Sequence, residues 1–378
     1  MSNHSSRKFS VEKIQNSLEN FFGGPEFPLF HESRSRRDLF SACKIHHRKG
    51  GDKNSMEHNI KIMLTLAILA GGLLLAPTAG KAAAFPNSPI TLVVPFPAGG
   101  ATDIAFRPLC EAAKKFLGQP VIVENRPGGG TAVGVGSIVG KKPDGYLLAE
   151  AVNSLHRNSY LNKLPFDTVK DLTPIIMVGG HLYGILVNPD SPFKTLQNVM
   201  DYARANPGKL TYMASGIGTG GHIAWEETAF NAGGLKLQHI PSKGDPESSS
   251  ALLGGHVDMI ATTAGWIPLV EAGKLRLLAT FGEKRSKKFP NVPTVKELGY
   301  KVVHNTPMGI FGPKGMSKDI VKILHDAFHK AQNDPLFVAA MDKYDMPIMY
   351  MGTEEFTKAW ADAYIEAGEH VKKYILNK

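Results

Sequence analysis

Cysteine is nearly absent from the sequence, with 2 cysteines among 378 residues, Cys43 and Cys110. Two such distant residues supply no ligand set for zinc or an iron–sulfur cluster, and a lone Cys110 in the folded part forms no internal disulfide. Cys110 falls on a predicted helix, where we expect it to pack as a small apolar residue. The sequence therefore predicts no metal site and no cofactor.

A long run of basic residues is also missing. The net charge is +9, of which residues 1–84 contribute +5 and residues 85–378 only +4, and no block of five Lys or Arg occurs. A nucleic-acid partner would require a basic stripe, so this class of function is excluded. The hydrophobic fraction of 43% is sufficient for a buried core in two or three domains.

No apolar run is long enough to cross a bilayer, which takes ~20 residues in a helix. The run from Ile62 to Leu75 has 14 residues, follows Lys61 and precedes the small residues Ala82 and Ala84. We therefore predict a signal peptide over 56–84, cleaved between Ala84 and Phe85, and export to the periplasm. Residues 1–55 precede it and are predicted to be an extension produced by too early an assigned start, with translation beginning at Met56.

Strand and helix patterns alternate along residues 85–378, which predicts an α/β fold with largely parallel strands. The predicted strands are Ile90–Val94, Pro120–Glu124, Tyr146–Ala151, Gly184–Val187, Leu210–Ala214, Val257–Ala261 and Leu275–Thr280. The predicted helices are Ile104–Leu117, Leu196–Ala205, Ile223–Phe230 and most of Lys318–Lys378, with breaks near Pro335, Pro347 and Gly352.

Two glycine-rich loops each follow a strand and precede a helix. The first is Phe96–Asp103 and the second is Ser215–His222, about 120 residues later. Backbone N–H groups at a helix start bind anions, and two such loops suit a small organic acid better than a nucleotide. A tight turn in which Asp103 caps the helix is the alternative interpretation of the first loop. The spacings of a Walker loop and of a Gly-x-Ser-x-Gly nucleophile elbow are absent.

Two further groups of polar residues are weaker candidates. His222 and Glu226 lie four residues apart on one helix face, but without a third ligand they favour an ordinary surface pair. Asn153, Ser154, His156 and Arg157 follow a predicted strand. His156 or Arg157 would meet a second acidic group of a ligand, unless these are merely solvated loop residues.

Several motifs then point to one family. They are "FPNSPITLVVPFPAGGATDIAFRPL", "LGQPVIVENRPGGGTAVG", "LTYMASGIGTGGHIA", "LLGGHVDMI" and "FPNVPTVKELGY". In this order the chain resembles the Bug family, the periplasmic solute receptors of tripartite tricarboxylate transporters, over essentially all of residues 85–378. The resemblance implies a type II periplasmic-binding-protein fold, with two α/β lobes, two crossover strands and a ligand cleft between the lobes.

The resemblance also implies a division into lobes and a set of binding residues. Lobe 1 is expected over 85–184 plus 304–378, and lobe 2 over 185–303. The implied ligand-binding residues lie in the two glycine-rich loops and two strand ends, and they are Phe96, Ala98, Gly99, Gly100, Ala101, Thr102, Asp103, Asn153, Ser154, His156, Arg157, Ser215, Gly218, Thr219, Gly220, His222 and Thr262. His156-Arg157 and Ser242 depart from the family pattern, so the particular ligand is open.

The expected function is capture of a small organic carboxylate and its delivery to the transporter's membrane subunits, by a monomer that is not an enzyme. The His156-Arg157 departure favours a ligand with a second acidic group or an aromatic ring. Two alternatives stay open: a receptor that serves a membrane histidine kinase, and an exported hydrolase. The hydrolase would need a nucleophile–base pair, and no spacing in the sequence supplies one.

Overall fold

The computed structural model describes residues 85–376. The expected extension 1–55 and signal peptide 56–84 lie outside these residues. Within the described part, no helix combines the length and apolar character needed to cross a membrane. The strands are β1 Ile90–Val94, β2 Val121–Asn125, β3 Leu147–Ala151, β4 Leu172–Val187, β5 Thr211–Ala214, β6 Gln238–Pro241, β7 Met259–Thr263, β8 Arg276–Thr280 and β9 Asn305–Pro313.

Ten α-helices are assigned between residues 85 and 376. They are α1 Ala101–Leu117, α2 Ala132–Gly136, α3 Ser154–Leu161, α4 Leu196–Ala205, α5 Gly220–Asn231, α6 Asp245–Leu253, α7 Ile267–Glu271, α8 Lys318–Gln332, α9 Pro335–Lys343 and α10 Thr353–Val371. The prediction of α4 is confirmed at both ends. Helices α1 and α5 begin three residues earlier than predicted, because each starts inside its glycine-rich loop.

The strands form one path in the order β2-β1-β3-β9-β4-β7-β5-β6, with β8 also paired to β4. Four pairings are parallel and involve β1 or β5, and four are antiparallel and involve β4 or β9. The prediction of largely parallel strands is therefore wrong for the middle of the sheet. The outer strands are joined by crossover helices and run parallel, whereas the two long central strands run against their neighbours.

Strand β4 is shared by two parts of this sheet. Its residues from Leu172 to Leu182 pair with β9, and its residues from Tyr183 to Val187 pair with β7. Only the last four residues of β4 were predicted, and β6 and β9 were missed. The first part of β4 contains Pro174 and the pair Gly179-Gly180, which weaken a strand pattern.

Buried apolar side chains form three clusters around the strands. The largest buried cluster joins the two regions of the sheet and includes Leu92 on β1 and Ile260 on β7. Cys110 lies in this cluster on α1 and is 2% exposed, so its expected packing as a small apolar residue is confirmed. A second cluster lies under α4 and α5 and contains Tyr212 and Trp225.

Helix α5 approaches the sheet so closely that one of its positions requires glycine. A Cβ added to Gly221 would lie 1.9 Å from the carbonyl oxygen of Ala261 on β7. We expect Gly221→Ala to destabilise the protein by about 2–3 kcal/mol because backbone must move, although alanine is the better helix former by about 1 kcal/mol. Denaturant unfolding measures the effect.

Gly265→Ala is the matched control for this substitution. The nearest atom to a Cβ at Gly265 is the Ala101 nitrogen at 3.9 Å, which is ordinary van der Waals contact. Its unfolding free energy should change by no more than about 0.5 kcal/mol. Equal effects of the two substitutions would contradict the close approach of α5 to β7.

Candidate functional site

Three helices begin at the same small cavity. They are α1, α5 and α6, with 17, 12 and 9 residues. The first N–H groups of each helix lack intrahelical acceptors and carry the positive end of the helix dipole. The cavity is lined by Phe96, Pro97, Gly100, Ala101, Thr102, Val152, Ser154, His181, Tyr183, Ser215, Thr219, Gly220, Asp245 and Thr263.

The start of α1 is built around Asp103. Its carboxylate accepts hydrogen bonds from the Gly99 N–H at 3.0 Å and from Arg107 Nε at 2.9 Å. Burial acts to raise the pKa of Asp103, but the Arg107 and Gly99 hydrogen bonds outweigh it, so the pKa lies below its ordinary value. Asp103 therefore fixes the first loop and is satisfied by the protein itself. It is not the helix cap of the alternative interpretation, because α1 begins at Ala101 with Gly100 as its N-cap and no side-chain capping hydrogen bond.

The start of α5 is held by residues from three elements. Arg157 Nε donates to the Gly218 carbonyl oxygen at 2.5 Å, and the Gly218 N–H donates to His222 Nδ1 at 3.1 Å. A Cβ at Gly220 would lie 2.2 Å from Tyr183 Oη, so only glycine lets this tyrosine reach the helix start. Arg157 and His222 thus shape the second loop from behind.

The first turn of α6 brings a carboxylate to the cavity. Asp245 accepts hydrogen bonds from the hydroxyls of Ser215 and Thr263. The backbone N–H of Ala101, at the start of α1, also donates to it. Burial raises the pKa of Asp245, and these hydrogen bonds partly offset the rise. The carboxylate therefore joins α1 to β5, β7 and α6 across the cavity.

Two lining side chains have buried polar atoms without a hydrogen-bond partner in residues 85–376, namely Ser154 Oγ and His181 Nδ1. The other ring nitrogen of His181 lies 3.2 Å from Thr102 Oγ1. Burial lowers the pKa of His181 to about 4, so the ring is neutral near pH 7. Buried polar atoms are normally paired, so these two are available to a bound molecule.

The structure brings eight of the predicted binding residues to the cavity and leaves nine away from its lining. Those that line it are Phe96, Gly100, Ala101, Thr102, Ser154, Ser215, Thr219 and Gly220. Those outside the lining are Ala98, Gly99, Asp103, Asn153, His156, Arg157, Gly218, His222 and Thr262. Contact of any of them with a ligand remains a prediction.

His156 and Arg157 do not occupy the place that the sequence suggested for them. His156 is fully buried, its ring centroid lies 3.9 Å from that of Trp360, and its Nδ1 lies 2.8 Å from Thr168 Oγ1. Arg157 is 2% exposed and supports Gly218. Both residues are buried on α3, so the solvated-loop interpretation is wrong, and neither lines the cavity.

His222 and Glu226 do face each other, with Nε2 and Oε1 3.9 Å apart, and Tyr212 Oη donates to Glu226 at 2.5 Å. Both side chains are buried, so the prediction that this pair lies on the surface is wrong. Across residues 85–376, no group of three His, Cys, Asp or Glu side chains is arranged to hold a metal ion.

Sequence reasoning missed four polar lining residues, His181, Tyr183, Asp245 and Thr263. Thr263 stands one position after the predicted Thr262 and ends β7. His181 and Tyr183 interrupt an apolar run with polar groups, a signal that would have identified them had β4 been predicted in full. Asp245 follows Gly244, whose position against Pro97 only the structure reveals.

A second cavity adjoins the first. Phe96 and Ser215 line both, and the second also contains the Gly128–Thr131 turn and Lys243. Thr131 is 2% exposed, and its hydroxyl has no partner in the described part of the chain. A basic side chain therefore stands next to the first cavity without lining it.

Comparison with known proteins gives consistent results. Residues 105–376 match the family model described as "Tripartite tricarboxylate transporter family receptor". A "UPF0065 protein in gbd 5'region" from Cupriavidus necator is 45% identical over 315 residues, which cover 83% of this chain and 96% of the relative.

Solved structures resemble the fold. The periplasmic binding protein BugD is 27% identical, with a TM-score of 0.73 over 77% of this chain and 98% of its own. MatC from Rhodopseudomonas palustris, solved with bound malate, is 23% identical, with a TM-score of 0.71 over 76% of this chain and 100% of its own. The predicted type II periplasmic-binding-protein fold, with two α/β lobes and a cleft, is therefore confirmed.

Glu150 on β3 is a buried acid outside the cavity lining. It is 0% exposed, and neither carboxyl oxygen has a hydrogen-bond partner among residues 85–376. Burial raises its pKa well above the ordinary value. As the pH rises past about 4.3, the unfolded chain loses a proton that the folded protein keeps, so stability falls with rising pH.

Glu150→Gln removes this titration. The variant's unfolding free energy should fall less steeply between about pH 5.5 and about pH 7.5, by up to about 1.4 kcal/mol per pH unit. Denaturant unfolding across this range measures the slope, which is insensitive to the constant cost of burying an amide. Glu369→Gln, at an exposed position on α10, is the control and should keep the wild-type slope. An unchanged slope in Glu150→Gln would contradict the raised pKa.

Proposed function

Because the chain belongs to the tripartite tricarboxylate transporter receptor family, we propose that it is a periplasmic solute-binding protein that captures a small organic carboxylate. It delivers this ligand to the membrane subunits of such a transporter. The protein only binds and releases the ligand, and no bond of the ligand is made or broken.

The convergence of helix starts on one cavity is the observation that carries this proposal. The starts of α1 and α5 bring backbone N–H groups to the lining at Thr102 and Gly220, whereas the Ala101 N–H already donates to Asp245. Ser154 adds an unpaired hydroxyl and His181 an unpaired ring nitrogen. Such neutral donors, with helix dipoles behind them, bind a carboxylate without a basic side chain.

The pairing of the sheet supports closure of two lobes around the ligand. We assign lobe 1 to residues 85–184 plus 304–378 and lobe 2 to residues 185–303. The change in pairing along β4 between Leu182 and Tyr183 supports a boundary close to residue 184. Helix α1 belongs to lobe 1 and α5 to lobe 2, so a ligand that contacts both helix starts stabilises the closed arrangement of the lobes.

A second acidic group on the ligand would have a partner. Lys243 lines the cavity that adjoins the first through Phe96 and Ser215. The related protein MatC has been solved with malate, a dicarboxylate, which supports this assignment. His156 does not favour an aromatic ligand, because its ring packs against Trp360 instead of lining the cavity.

The geometry of the serines favours binding over hydrolysis. A serine nucleophile needs an adjacent base, usually a histidine. Ser215 Oγ donates to Asp245 instead, and Ser154 Oγ has no hydrogen-bond partner in residues 85–376. This arrangement supports the proposal of a receptor over that of a hydrolase.

Export by a cleavable signal peptide places the protein in the periplasm. We expect the mature chain to begin at Phe85, because Ala82 and Ala84 provide the small residues that signal peptidase recognises. Intact-mass measurement of protein expressed from the full sequence and recovered from the periplasm tests this. A mass that retains residues 56–84 would contradict the cleavage site. Ala84→Arg is the matched variant and should remain unprocessed.

Ser154→Ala tests the cavity directly. The protein, expressed from its full sequence, is screened by thermal shift against malate, succinate, citrate and benzoate, and affinity for the strongest binder is measured by calorimetry. A ligand at 100-fold excess over Kd stabilises the folded state by ~2.7 kcal/mol. Loss of the Ser154 hydrogen bond to a carboxylate should weaken binding about tenfold.

Ser159→Ala is the control, because it lies on the same helix and its hydroxyl donates to the His156 carbonyl oxygen at 2.7 Å, away from the cavity. Its affinity should equal that of the wild type. Equal affinities of the wild type, Ser154→Ala and Ser159→Ala would show that the ligand does not bind in this cavity. A screen in which no acid raises the melting temperature of the folded protein would overturn the proposed function.

A further inference from the structure

Asp245 gives one wall of the cavity a chemistry that the proposed function does not explain. The cavity was assigned to a carboxylate, yet a carboxylate of the protein already lines it. We propose that Asp245 makes the receptor selective for carboxylates that also carry a protonated amine. This inference rests on the proposed function and names its ligand class more closely.

The hydrogen bonds of Asp245 determine what its neighbours offer to a ligand. An ionised carboxylate only accepts hydrogen bonds, and a serine or threonine hydroxyl has one proton to donate. Ser215 and Thr263 both donate that proton to Asp245. Their oxygen lone pairs remain for other contacts, so this wall of the cavity accepts hydrogen bonds and presents no hydroxyl donor.

The charges around the cavity point the same way. Its lining contains no Lys or Arg, and its one histidine, His181, is neutral near pH 7. Lys243 lines the adjoining cavity, and Arg157 lies behind the second loop. A ligand with only a carboxylate would bring a second negative charge beside Asp245. An ammonium group on the ligand compensates that charge and supplies the donors that the wall lacks.

The cavity therefore has two unlike walls. The start of α5, the first turn of α1 after Ala101 and the Ser154 hydroxyl provide donors for the ligand's carboxylate, while the Ala101 N–H donates to Asp245. Asp245, with the oxygens of Ser215 and Thr263, provides acceptors for its amine. A small amino acid satisfies both walls, whereas an amine-free acid of the same shape satisfies only the first.

Matched pairs of ligands test the selectivity on the wild-type protein expressed from its full sequence. Aspartate is compared with succinate, glutamate with glutarate, and alanine with isobutyrate, by thermal shift and calorimetry near pH 7. We expect the amino compound to bind at least about tenfold more tightly in every pair that binds at all. Equal or tighter binding of the amine-free partner would overturn the inference and leave carboxylate binding intact.

Asp245→Asn tests how much the charge of Asp245 contributes to the preference for amino compounds. The amide keeps the size of the side chain but loses its charge, so the preference for the amino compound should fall at least about tenfold, through weaker binding of the amino compound. Asp190→Asn removes one negative charge at an exposed position away from the cavity and should keep the wild-type preference. A variant at Asp245 that retains the full preference would overturn its role.

The two proposals fail in different ways. If none of the six compounds raises the melting temperature of the wild type, carboxylate capture and the amine preference both fall. If the amine-free acids bind as well, only the amine preference falls. Should Asp245→Asn not fold, the wild-type pairs still decide, because the preference is a property of the unmodified cavity.

Discussion

Strand β4 is the constraint on which the binding site depends. One strand of 16 residues pairs with β9 along its first part and with β7 and β8 along its last five residues. Because the same backbone serves both regions of the sheet, the residues at the change of partner lie where the two regions meet. His181 and Tyr183 occupy that place, and both line the cavity.

The position of β4 also decides which glycines are needed. Tyr183 projects from the strand towards α5 and is accommodated because Gly220 has no side chain. The next residue, Gly221, lets the helix lie against the backbone of β7. Two adjacent glycines thus bring a helix start, and the N–H groups that point from it, close to the sheet. A loop of this composition is explained by packing as well as by ligand binding.

Much of the fold could be predicted from local pattern. The helix Leu196–Ala205 was placed at both ends because its apolar residues repeat with helical period and Thr195 caps it. The long central strands could not be predicted, since Pro174 and Gly179-Gly180 interrupt β4 and its pairing partners are more than 70 residues away in sequence. Local pattern identifies an element, and its partners are fixed by distant packing.

The candidate binding site likewise contains some residues that local composition identifies and others that only distant packing brings there. The two glycine-rich loops were found because their composition is itself the signal, and eight of the residues selected line the cavity. His156 and Arg157 lie outside the cavity lining because one turn of α3 decides which side chain faces the cavity, and Ser154 is the one that does. Asp245 was missed because its partners, Ser215 and Thr263, come from the ends of two other strands.

The cavity combines donors that carry no net charge with one acceptor that carries a full charge. Helix starts and hydroxyls hold an anion without the desolvation cost of a buried Lys or Arg, which is several kcal/mol per ion. Asp245 incurs a cost of this kind, and the hydroxyls of Ser215 and Thr263 offset part of it. A residue that is costly to bury inside an anion site needs a compensating partner, and a cationic group on the ligand is the partner whose charge and hydrogen-bond donors match this wall.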